Sequence, residues 1–219
     1  MNILFPYEFK LKRDILSRKL PEYITIILTE QDVCGNGIKK LADTVKWCSE
    51  LGVKLLSVYI DILPIGVLRE ELSKNIADSI YTLFRDSGYK VKLFKLCGQE
   101  IVEEEVLPFR NKYPEVMVSI GIGGRKELTY VIRKILTRVK EGELRAEDID
   151  EKDVERHLLF PHDPELVIRA GGKRLADFLV WQSVYSELYF TDVNWKSFRK
   201  IDFLRAVRDY QKRQRRFGR

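Results

Sequence analysis

The sequence predicts an α/β fold in a single domain, with a central, mainly parallel sheet flanked by helices. Five apolar segments of strand length recur, at residues 23–28, 54–60, 89–96, 116–120 and 166–168. The segments between them have helical spacing of their apolar residues, and such crossovers pair successive strands in parallel. With 219 residues, of which 45% are hydrophobic, the chain is long enough to bury one sizeable core.

The helix after the first strand is the best defined of the chain. Apolar residues of segment 37–51 follow the i, i+3, i+4, i+7 spacing of one buried helical face. These residues are Ile38, Leu41, Ala42, Val45 and Cys48. Gly52 follows this segment and is predicted to end the helix, because glycine readily adopts the left-handed conformation found just past a helix C-terminus.

Five further helices are predicted after the remaining strands. They cover residues 67–86, 100–112, 126–140, 151–158 and 197–216, the last of them long and strongly charged. The polar segment at residues 142–153 has a charge pattern too ordered for a flexible linker. Residues 1–219 are therefore interpreted as one domain.

Positive charge is concentrated at the end of the chain. The formal net charge is +6, and much of this excess comes from the last turns: Lys212, Arg213, Arg215, Arg216 and Arg219. Because the rest of the chain is closer to neutral, we predict no nucleic-acid partner. Taken alone, such a basic end is typical of a solvated helix terminus.

The cysteines and the first residues indicate the compartment. Cys34, Cys48 and Cys97 are odd in number and lack CxxC spacing, and only two histidines are present, so no zinc framework is predicted. Charges come too early for a signal-peptide core, and no apolar run is long enough to span a bilayer. We expect a soluble cytoplasmic protein in a reducing compartment, and peripheral association with a membrane is left open.

A glycine-rich turn follows the strand at residues 116–120. Gly123, Gly124 and Arg125 lead from "GIGGRKE" into a helix, and backbone N–H groups at such a position form a nest for phosphate. The turn comes late in the chain and lacks the third glycine of a dinucleotide fingerprint. We therefore predict no nicotinamide or flavin cofactor.

A second anion site is predicted after the strand at residues 166–168. Arg169 and Arg174 surround the Gly171-Gly172 pair, and ligands of open α/β sheets bind beyond the carboxyl ends of the strands. A guanidinium group can donate two parallel hydrogen bonds to diphosphate oxygens, so arginines are suited to this role. Read from the local pattern alone, ordinary surface ion pairs are the alternative.

An acid stands among aromatic residues in "YSELYFTDVNW". The carboxylate of Glu187 needs a partner in such apolar surroundings, and an arginine, backbone N–H groups or Mg²⁺ all meet that need. A structural salt bridge is the simpler alternative to a metal site.

Two long segments resemble one enzyme family. "DPELVIRAGGKRLADFLVWQSVYSELYFTDVNW" and the terminal "RDYQKRQRRFG" closely resemble the end of the cis-prenyltransferases, the undecaprenyl or polyprenyl diphosphate synthases. "GIGGRKELTYVIRKI" is similar to that family's asparagine-tyrosine-glycine-glycine-arginine segment. The resemblance covers the chain from about Gly37 to its end and is stronger in the second half.

The resemblance implies an activity and a set of residues. Members of this family condense isopentenyl diphosphate onto an allylic diphosphate with Mg²⁺, and they work as dimers. Arg169 and Arg174 match the arginines that hold isopentenyl diphosphate, and Glu187 matches a carboxylate near the metal. The terminal Arg216 and Gly218 match a motif that reaches the diphosphate site of the partner subunit.

The first half departs from the family at the catalytic aspartate. Active members follow the first strand with an aspartate-glycine-asparagine signature, whereas here the strand runs into Thr29, Glu30 and Gln31. The stretch before Gly37 is too short for the family's phosphate loop, and Cys34 stands in place of its histidine. Thr29 thus removes an acid that would bind Mg²⁺, which predicts loss of the metal's help in diphosphate departure.

Two more segments of the chain depart from the family. After Val58-Tyr59, the sequence Ile60-Asp61-Ile62-Leu63-Pro64 replaces the family's loop of phenylalanine, serine, glutamate, asparagine and tryptophan. In the second half one residue is missing between Gly172 and Arg174, and Ala176 replaces a serine.

From these departures we infer, as the leading hypothesis, a non-catalytic accessory subunit of a heteromeric polyprenyl diphosphate synthase, similar to the Nogo-B receptor. Its partner would be a catalytic paralogue, to whose active site the C-terminal motif contributes. The first alternative is a divergent but active synthase, alone or as a homodimer, binding Mg²⁺ through Glu187 with Glu30 or Asp32. The second is a scaffold that binds prenyl diphosphates or another protein.

Overall fold

Seven strands and seven helices are formed by the residues that the computed structural model describes: 4–63, 66–98, 100–110, 112–160, 162–172 and 180–213, with only the backbone described at 4–6. The strands are β1 (Tyr23–Thr29), β2 (Leu55–Asp61), β3 (Tyr89–Cys97), β4 (Glu100–Val106), β5 (Lys112–Ile120), β6 (Leu166–Ala170) and β7 (Glu187–Thr191). The helices are α1 (Leu4–Leu16), α2 (Glu30–Val33), α3 (Lys39–Glu50), α4 (Val67–Phe84), α5 (Gly124–Lys140), α6 (Glu151–Glu155) and α7 (Lys200–Lys212).

All seven strands belong to one sheet, in the order β4-β3-β5-β2-β1-β6-β7. Every neighbouring pair is parallel except β3 and β4, which are antiparallel. This confirms the predicted α/β class with a mainly parallel sheet. The parallel strands end together at one side of the sheet, which we call the carboxyl edge, and ligands of such sheets bind there.

One face of the sheet is covered by α1, α3, α4 and α7. Leu41, Val45 and Cys48 of α3 are buried there, as the helical spacing predicted. Gly52 has φ +73° and follows the helix directly, which confirms its predicted role as the stop. Both faces of β1 are buried, which explains why its sequence is a continuous apolar run rather than an alternating one.

The opposite face carries an aromatic cluster. The Phe160 ring lies 4.8 Å from the Tyr59 ring and 5.6 Å from the Phe94 ring, measured between centroids. Phe160 is fully buried and belongs to the segment that leads from α6 to β6. This packing fixes the approach of the chain to the amino end of β6.

The predicted helix at residues 100–112 is wrong, because β4 occupies its first part. Val102 and Val106 are four residues apart, a spacing that mimics a helical face. In the structure they lie on one strand, separated by three consecutive glutamates, and Lys95 of β3 forms a salt bridge with Glu104 across the hairpin at 2.6 Å. Gly98, at φ +62°, lies in the turn between the two strands.

Besides β4, the sequence prediction missed α1, the one-turn helix α2 and β7, and the last helix was among those predicted too long. Helix α1 packs against α7 through the buried Leu11 and Ile15, and β7 extends the sheet beside β6. The last helix was predicted at residues 197–216, whereas α7 ends at Lys212 and residues 214–216 lie outside the described part of the chain. Within the described residues, no helix is both long and apolar enough to cross a bilayer.

Candidate functional site

Thr29 ends β1 at the carboxyl edge, where the family resemblance places an aspartate. Its backbone N–H donates to Asp32 Oδ2 at 2.8 Å, and its hydroxyl donates to the same oxygen at 2.9 Å. Asp32 lies in α2 and is buried. The carboxylate of Asp32 therefore caps the short helix that begins at the end of β1.

Arg169 of β6 lies beside the same carboxylate. Its Nη1 is 3.6 Å from Asp32 Oδ2 and donates to the carbonyl of Ile27 at 3.0 Å. Its Nε is buried and has no hydrogen-bond partner among the residues that the structure describes. Since a buried donor without a partner is costly, the Arg169 guanidinium retains capacity for an anion at this edge.

Glu30, the other acid next to Thr29, is also engaged. It is buried and its Oε2 accepts a hydrogen bond from the backbone N–H of Leu63 at 3.4 Å. Leu63 follows β2, so Glu30 ties the end of that strand to α2. Glu30 and Asp32 were the sequence-based candidates for replacing the missing aspartate. In the structure, each of these carboxylates accepts a hydrogen bond from a backbone N–H group.

The turn after α2 is held tightly. A Cβ at Gly37 would overlap the carbonyl oxygen of Asp32, so this position requires glycine. The buried Trp195 donates from Nε1 to the Gly37 carbonyl at 2.9 Å. This contact links the turn to the segment after β7, and the short connection between β1 and α3 is thereby fixed.

The glycine turn after β5 has a cation beside it that the sequence analysis did not single out. Gly121 has φ +68°, and its carbonyl accepts from Arg69 Nη2 at 2.6 Å. Gly123 and Gly124 begin α5, and Arg125 is exposed. The phosphate nest predicted from these residues thus lies at the N-terminus of a helix, beyond the end of β5. Arg69 was missed because its partner is 52 residues away.

Glu187 lies at the start of β7, near the side of the sheet opposite to the carboxyl edge. It pairs in register with Leu166 at the start of β6, and its Oε2 lies 3.2 Å from Arg213 Nη1. Leu166 is in turn level with Ile24, five residues before Thr29, a separation of about 17 Å along a strand. Within one chain Glu187 and Thr29 therefore do not meet, and Glu187 forms the salt bridge that was the simpler alternative.

Three of the predicted diphosphate-binding residues, Arg174, Arg216 and Gly218, lie outside the described residues. Of the predicted set, the structure brings Arg169 to Thr29 and Asp32, and places the Gly123-Gly124 turn two strands away from Thr29.

The sequence analysis did not identify Glu127, a buried acid. Glu127 of α5 accepts hydrogen bonds from Leu159 N–H at 2.8 Å and from Gln182 Nε2 at 3.1 Å. Burial raises the pKa of Glu127 from 4.5 to about 7, against the opposing effect of these hydrogen bonds. The only signal in the sequence was an acid in the first turn of a helix, where acids are common.

Magnesium requires few protein ligands when a diphosphate supplies the others. No group of three or more histidine, cysteine or acidic side chains suited to a metal occurs among the described residues. Asp61 ends β2 beside Thr29 in the register, and it is the half-buried acid of this edge. One carboxylate at the same edge of the sheet as Arg169 fits Mg²⁺ carried by a diphosphate, and does not fit a metal held by protein alone.

Comparison with protein families shows to which family the chain belongs. Residues 67–218 match the family model described as "Putative undecaprenyl diphosphate synthase". The chain belongs to this prenyltransferase family. The resemblance found in the sequence is thereby confirmed at the level of the family, whereas the likeness to a non-catalytic subunit is not.

Similar proteins include two synthases with the same name. The chain is 34% identical to the tritrans,polycis-undecaprenyl-diphosphate synthase (geranylgeranyl-diphosphate specific) of Thermococcus kodakarensis, over 97% of this chain and 92% of that protein. It is 33% identical to the synthase of the same name from Methanocaldococcus jannaschii, over 99% and 89%. The first alignment spans 248 positions against a chain of 219 residues, so the relative carries segments that have no counterpart here.

Solved structures of family members share the fold. Lavandulyl diphosphate synthase from Lavandula x intermedia, in complex with dimethylallyl diphosphate, superposes with a TM-score of 0.73 at 24% identity, covering 91% of this chain and 99% of that one. A probable undecaprenyl diphosphate synthase from Campylobacter jejuni gives 0.69 at 22% identity, covering 92% and 99%. The prenyltransferase-like fold predicted from the sequence is confirmed.

Proposed function

We propose that this chain is a polyprenyl diphosphate synthase, which condenses isopentenyl diphosphate onto an allylic diphosphate. The carrying observation is its identity of 34% to the Thermococcus kodakarensis synthase over 97% of the chain. Because that relative is named for geranylgeranyl diphosphate, the same allylic substrate is the first to test. This reading takes precedence over the accessory subunit that the loss of the first-strand aspartate suggested.

Arg169 is the residue of this edge best suited to hold a substrate diphosphate. Its guanidinium is held by the Ile27 carbonyl, and its buried Nε has no hydrogen-bond partner within the described part of the chain. An incoming diphosphate would compete with Asp32 for the guanidinium, and it carries more negative charge than one carboxylate. Arg69 offers a second guanidinium beside Gly121. Arg174, Arg216 and Gly218 are proposed to contribute by their match to the family motifs.

The accessory subunit remains the second candidate because of a specific contact. Thr29 replaces the aspartate and bonds to Asp32, whose carboxylate is already occupied by Thr29 and Arg169. A chain built in this way would act in a heterodimer with a paralogue that carries the aspartate. Glu187 would then serve as a metal ligand only from across the dimer, since it lies far from Thr29 in its own chain.

A peripheral membrane contact through α1 suits a protein that makes a lipid. Phe9 and Leu16 are seven residues apart on the outer side of α1 and are 66% and 49% exposed. Arg13 lies between them in the sequence and is exposed. An apolar stripe with basic residues beside it binds the interface of an anionic bilayer.

A condensation assay separates the candidates. The purified chain is incubated with Mg²⁺, geranylgeranyl diphosphate and labelled isopentenyl diphosphate, alone and mixed with a paralogue that carries the aspartate. Labelled polymer from the chain alone supports the active synthase. Polymer from the mixture in excess of the paralogue's own supports the accessory subunit, and binding of geranylgeranyl diphosphate without polymer in either case supports a scaffold.

Two variants make the assay specific to the site. Arg169→Gln should reduce polymer in whichever arm produces it, because the amide cannot hold a diphosphate as a guanidinium does. Arg18→Gln is the control, since Arg18 is exposed and forms a salt bridge with Asp14, four residues before it, away from the carboxyl edge. Equal loss in both variants would mean that the edge carries no diphosphate.

A further inference from the structure

Asp61 lies at the centre of the carboxyl edge. The strand order there is β5, β2, β1, β6, and the register puts Thr29 beside Asp61 on the β1 side. On the other side, β5 continues into Gly121, whose N–H donates to the Ile60 carbonyl at 2.8 Å. Asp61 is therefore flanked by Thr29 on one side and Gly121 on the other.

Arginines stand on both sides of Asp61. Arg69 donates to the carbonyl of Gly121, on the β5 side. Arg169 belongs to β6, which lies beyond β1. Because neighbouring strands are about 4.8 Å apart, Asp61 is one strand away from Gly121 and two strands away from Arg169. Arg69 comes from α4, which packs on the face opposite to Tyr59, so Arg169 is the arginine with which Asp61 could share a cation and an anion.

Asp61 and Arg169 lie on one face of the sheet. The residues two positions earlier in their strands pack in a single cluster on that face; they are Tyr59 and Val167. Thr29 lies on the same face by the same test, since Ile27 belongs to that cluster. Side chains alternate between faces along a strand, so these three end on the same side of the edge.

Asp61 differs from the two other acids nearby in its contacts. Asp32 is held by Thr29 and Arg169, and Glu30 is held by Leu63. Asp61 is half-buried and forms no hydrogen bond or ion pair with any residue that the structure describes. Since a partly buried carboxylate gains from a cation, Asp61 is the acid of this edge that is available for one.

We propose that Asp61 binds Mg²⁺ together with a diphosphate, so that β2 supplies the acid that the family's first strand supplies elsewhere. The inference rests on the proposed function and names the residue that makes it feasible in spite of Thr29. Mg²⁺ keeps several waters and is bound by one or two carboxylates plus phosphate oxygens, so a single aspartate on the same face as Arg169 meets its needs when a diphosphate is held there. The loss of an acid on one strand is thus compensated by an acid on the next.

Binding of inorganic pyrophosphate tests the proposal without requiring turnover. Titration calorimetry of the full chain, with and without Mg²⁺, measures how much the ion strengthens pyrophosphate binding. In the unaltered chain we expect a gain of about tenfold or more, the scale on which even residues that only support a metal ligand matter. Asp61→Asn should abolish this gain and leave the Mg²⁺-free affinity equal or slightly higher, and Asp61→Glu should retain part of it.

The controls separate the assignment from folding and from the proposed function. Asp86→Asn removes an exposed acid that pairs with Arg85 and should keep the full gain, and circular dichroism checks that each variant folds. A full Mg²⁺ gain in Asp61→Asn, or no gain in the unaltered chain, overturns the proposal. If the unaltered chain synthesises polymer, the proposed function holds even when the Asp61 assignment fails. Conversely, an Asp61-dependent gain without polymer in any mixture removes the function and keeps the site.

Discussion

Asp32 neutralises Arg169 in the folded chain. The two charged groups approach to 3.6 Å, with side chains 11% and 13% exposed respectively. The same carboxylate oxygen accepts from the backbone and the hydroxyl of Thr29. One acid therefore closes the end of β1 and occupies the arginine of β6 at the same time, and a substrate diphosphate at Arg169 has to compete with it.

Asp32→Asn should expose this competition. The amide oxygen still accepts from Thr29, but the charge of Arg169 loses its partner. We expect a loss of about 1–3 kcal/mol in the free energy of unfolding, measured with urea, and tighter pyrophosphate binding in the absence of Mg²⁺. Asp86→Asn, a surface change, should alter neither. Weaker pyrophosphate binding in a folded Asp32→Asn protein would show that Asp32 helps to bind the anion rather than competing with it.

Glu127 should make stability depend on pH. Its pKa is about 7 in the folded chain and 4.5 as the ordinary value, so the folded state holds a proton that the unfolded state releases. The contribution is therefore present in full below about pH 4.5 and is lost as the pH rises through about 7. A shift of this size corresponds to on the order of 3 kcal/mol.

Glu127→Gln isolates this effect. The variant keeps an acceptor for Leu159 and Gln182 but cannot titrate, so the difference in unfolding free energy from the unaltered chain should change between pH 4.5 and 7.5 and then level off. Urea unfolding at five pH values measures it. A difference that is constant with pH would mean that Glu127 titrates as an exposed acid does.

Gly37→Ala should destabilise the chain more than Gly35→Ala. The new Cβ at Gly37 would overlap the Asp32 carbonyl, whereas at Gly35 nothing lies within 4 Å and only its φ of +62° opposes the change. We expect a cost of about 1 kcal/mol at Gly35 and a markedly larger one at Gly37. Thermal unfolding of both variants decides the order, and equal melting temperatures would contradict the close approach at Gly37.

A charge reversal tests the β3–β4 hairpin. Lys95 and Glu104 form a diagonal salt bridge across the two strands at 2.6 Å, so Glu104→Lys should cost about 0.5 kcal/mol or more by placing two lysines next to each other. Lys95→Glu in the same chain should restore most of the loss. The double-mutant cycle uses urea unfolding, and strictly additive effects would argue for the helix that the sequence predicted over residues 100–112.

Vesicle binding tests the α1 surface. Phe9→Ser combined with Leu16→Ser should reduce co-sedimentation with vesicles of mixed phosphatidylcholine and phosphatidylglycerol, because the apolar stripe is lost. Leu107→Ser is the control, since Leu107 is 55% exposed and lies after β4 rather than on α1. Similar binding by all of these proteins would assign the interaction to charge alone, or to another surface.

The parts of the fold that the sequence predicted are those with strong local patterns. Strands buried on both faces appear as apolar runs, and α3 has a clear helical stripe, so both were found. The helix at 100–112 failed because Val102 and Val106 match helical spacing as well as strand alternation. Strand β7 was missed because its five residues are half-buried or exposed and mix charge with aromatic rings.

The site was predictable in position but not in its contacts. Strand ends locate Thr29 and Arg169, and the fold class brings those ends to one edge. The contact of Asp32 with Arg169 joins residues more than a hundred positions apart, and Arg69 reaches Gly121 from a helix that precedes it by three strands. Such pairings depend on the register and order of strands, which local sequence does not encode.

The two outer strands of the sheet have opposite chemical character. Strand β4 presents Glu103, Glu104 and Glu105 in succession, and all three are exposed. A second copy that tried to add its own β4 there would bring six carboxylates together, so repulsion protects this margin from fibril-like stacking. At the far margin, β7 carries the exposed Phe190 next to the half-buried Leu188 and Tyr189. If copies of the chain join through a sheet margin, electrostatics directs them to β7.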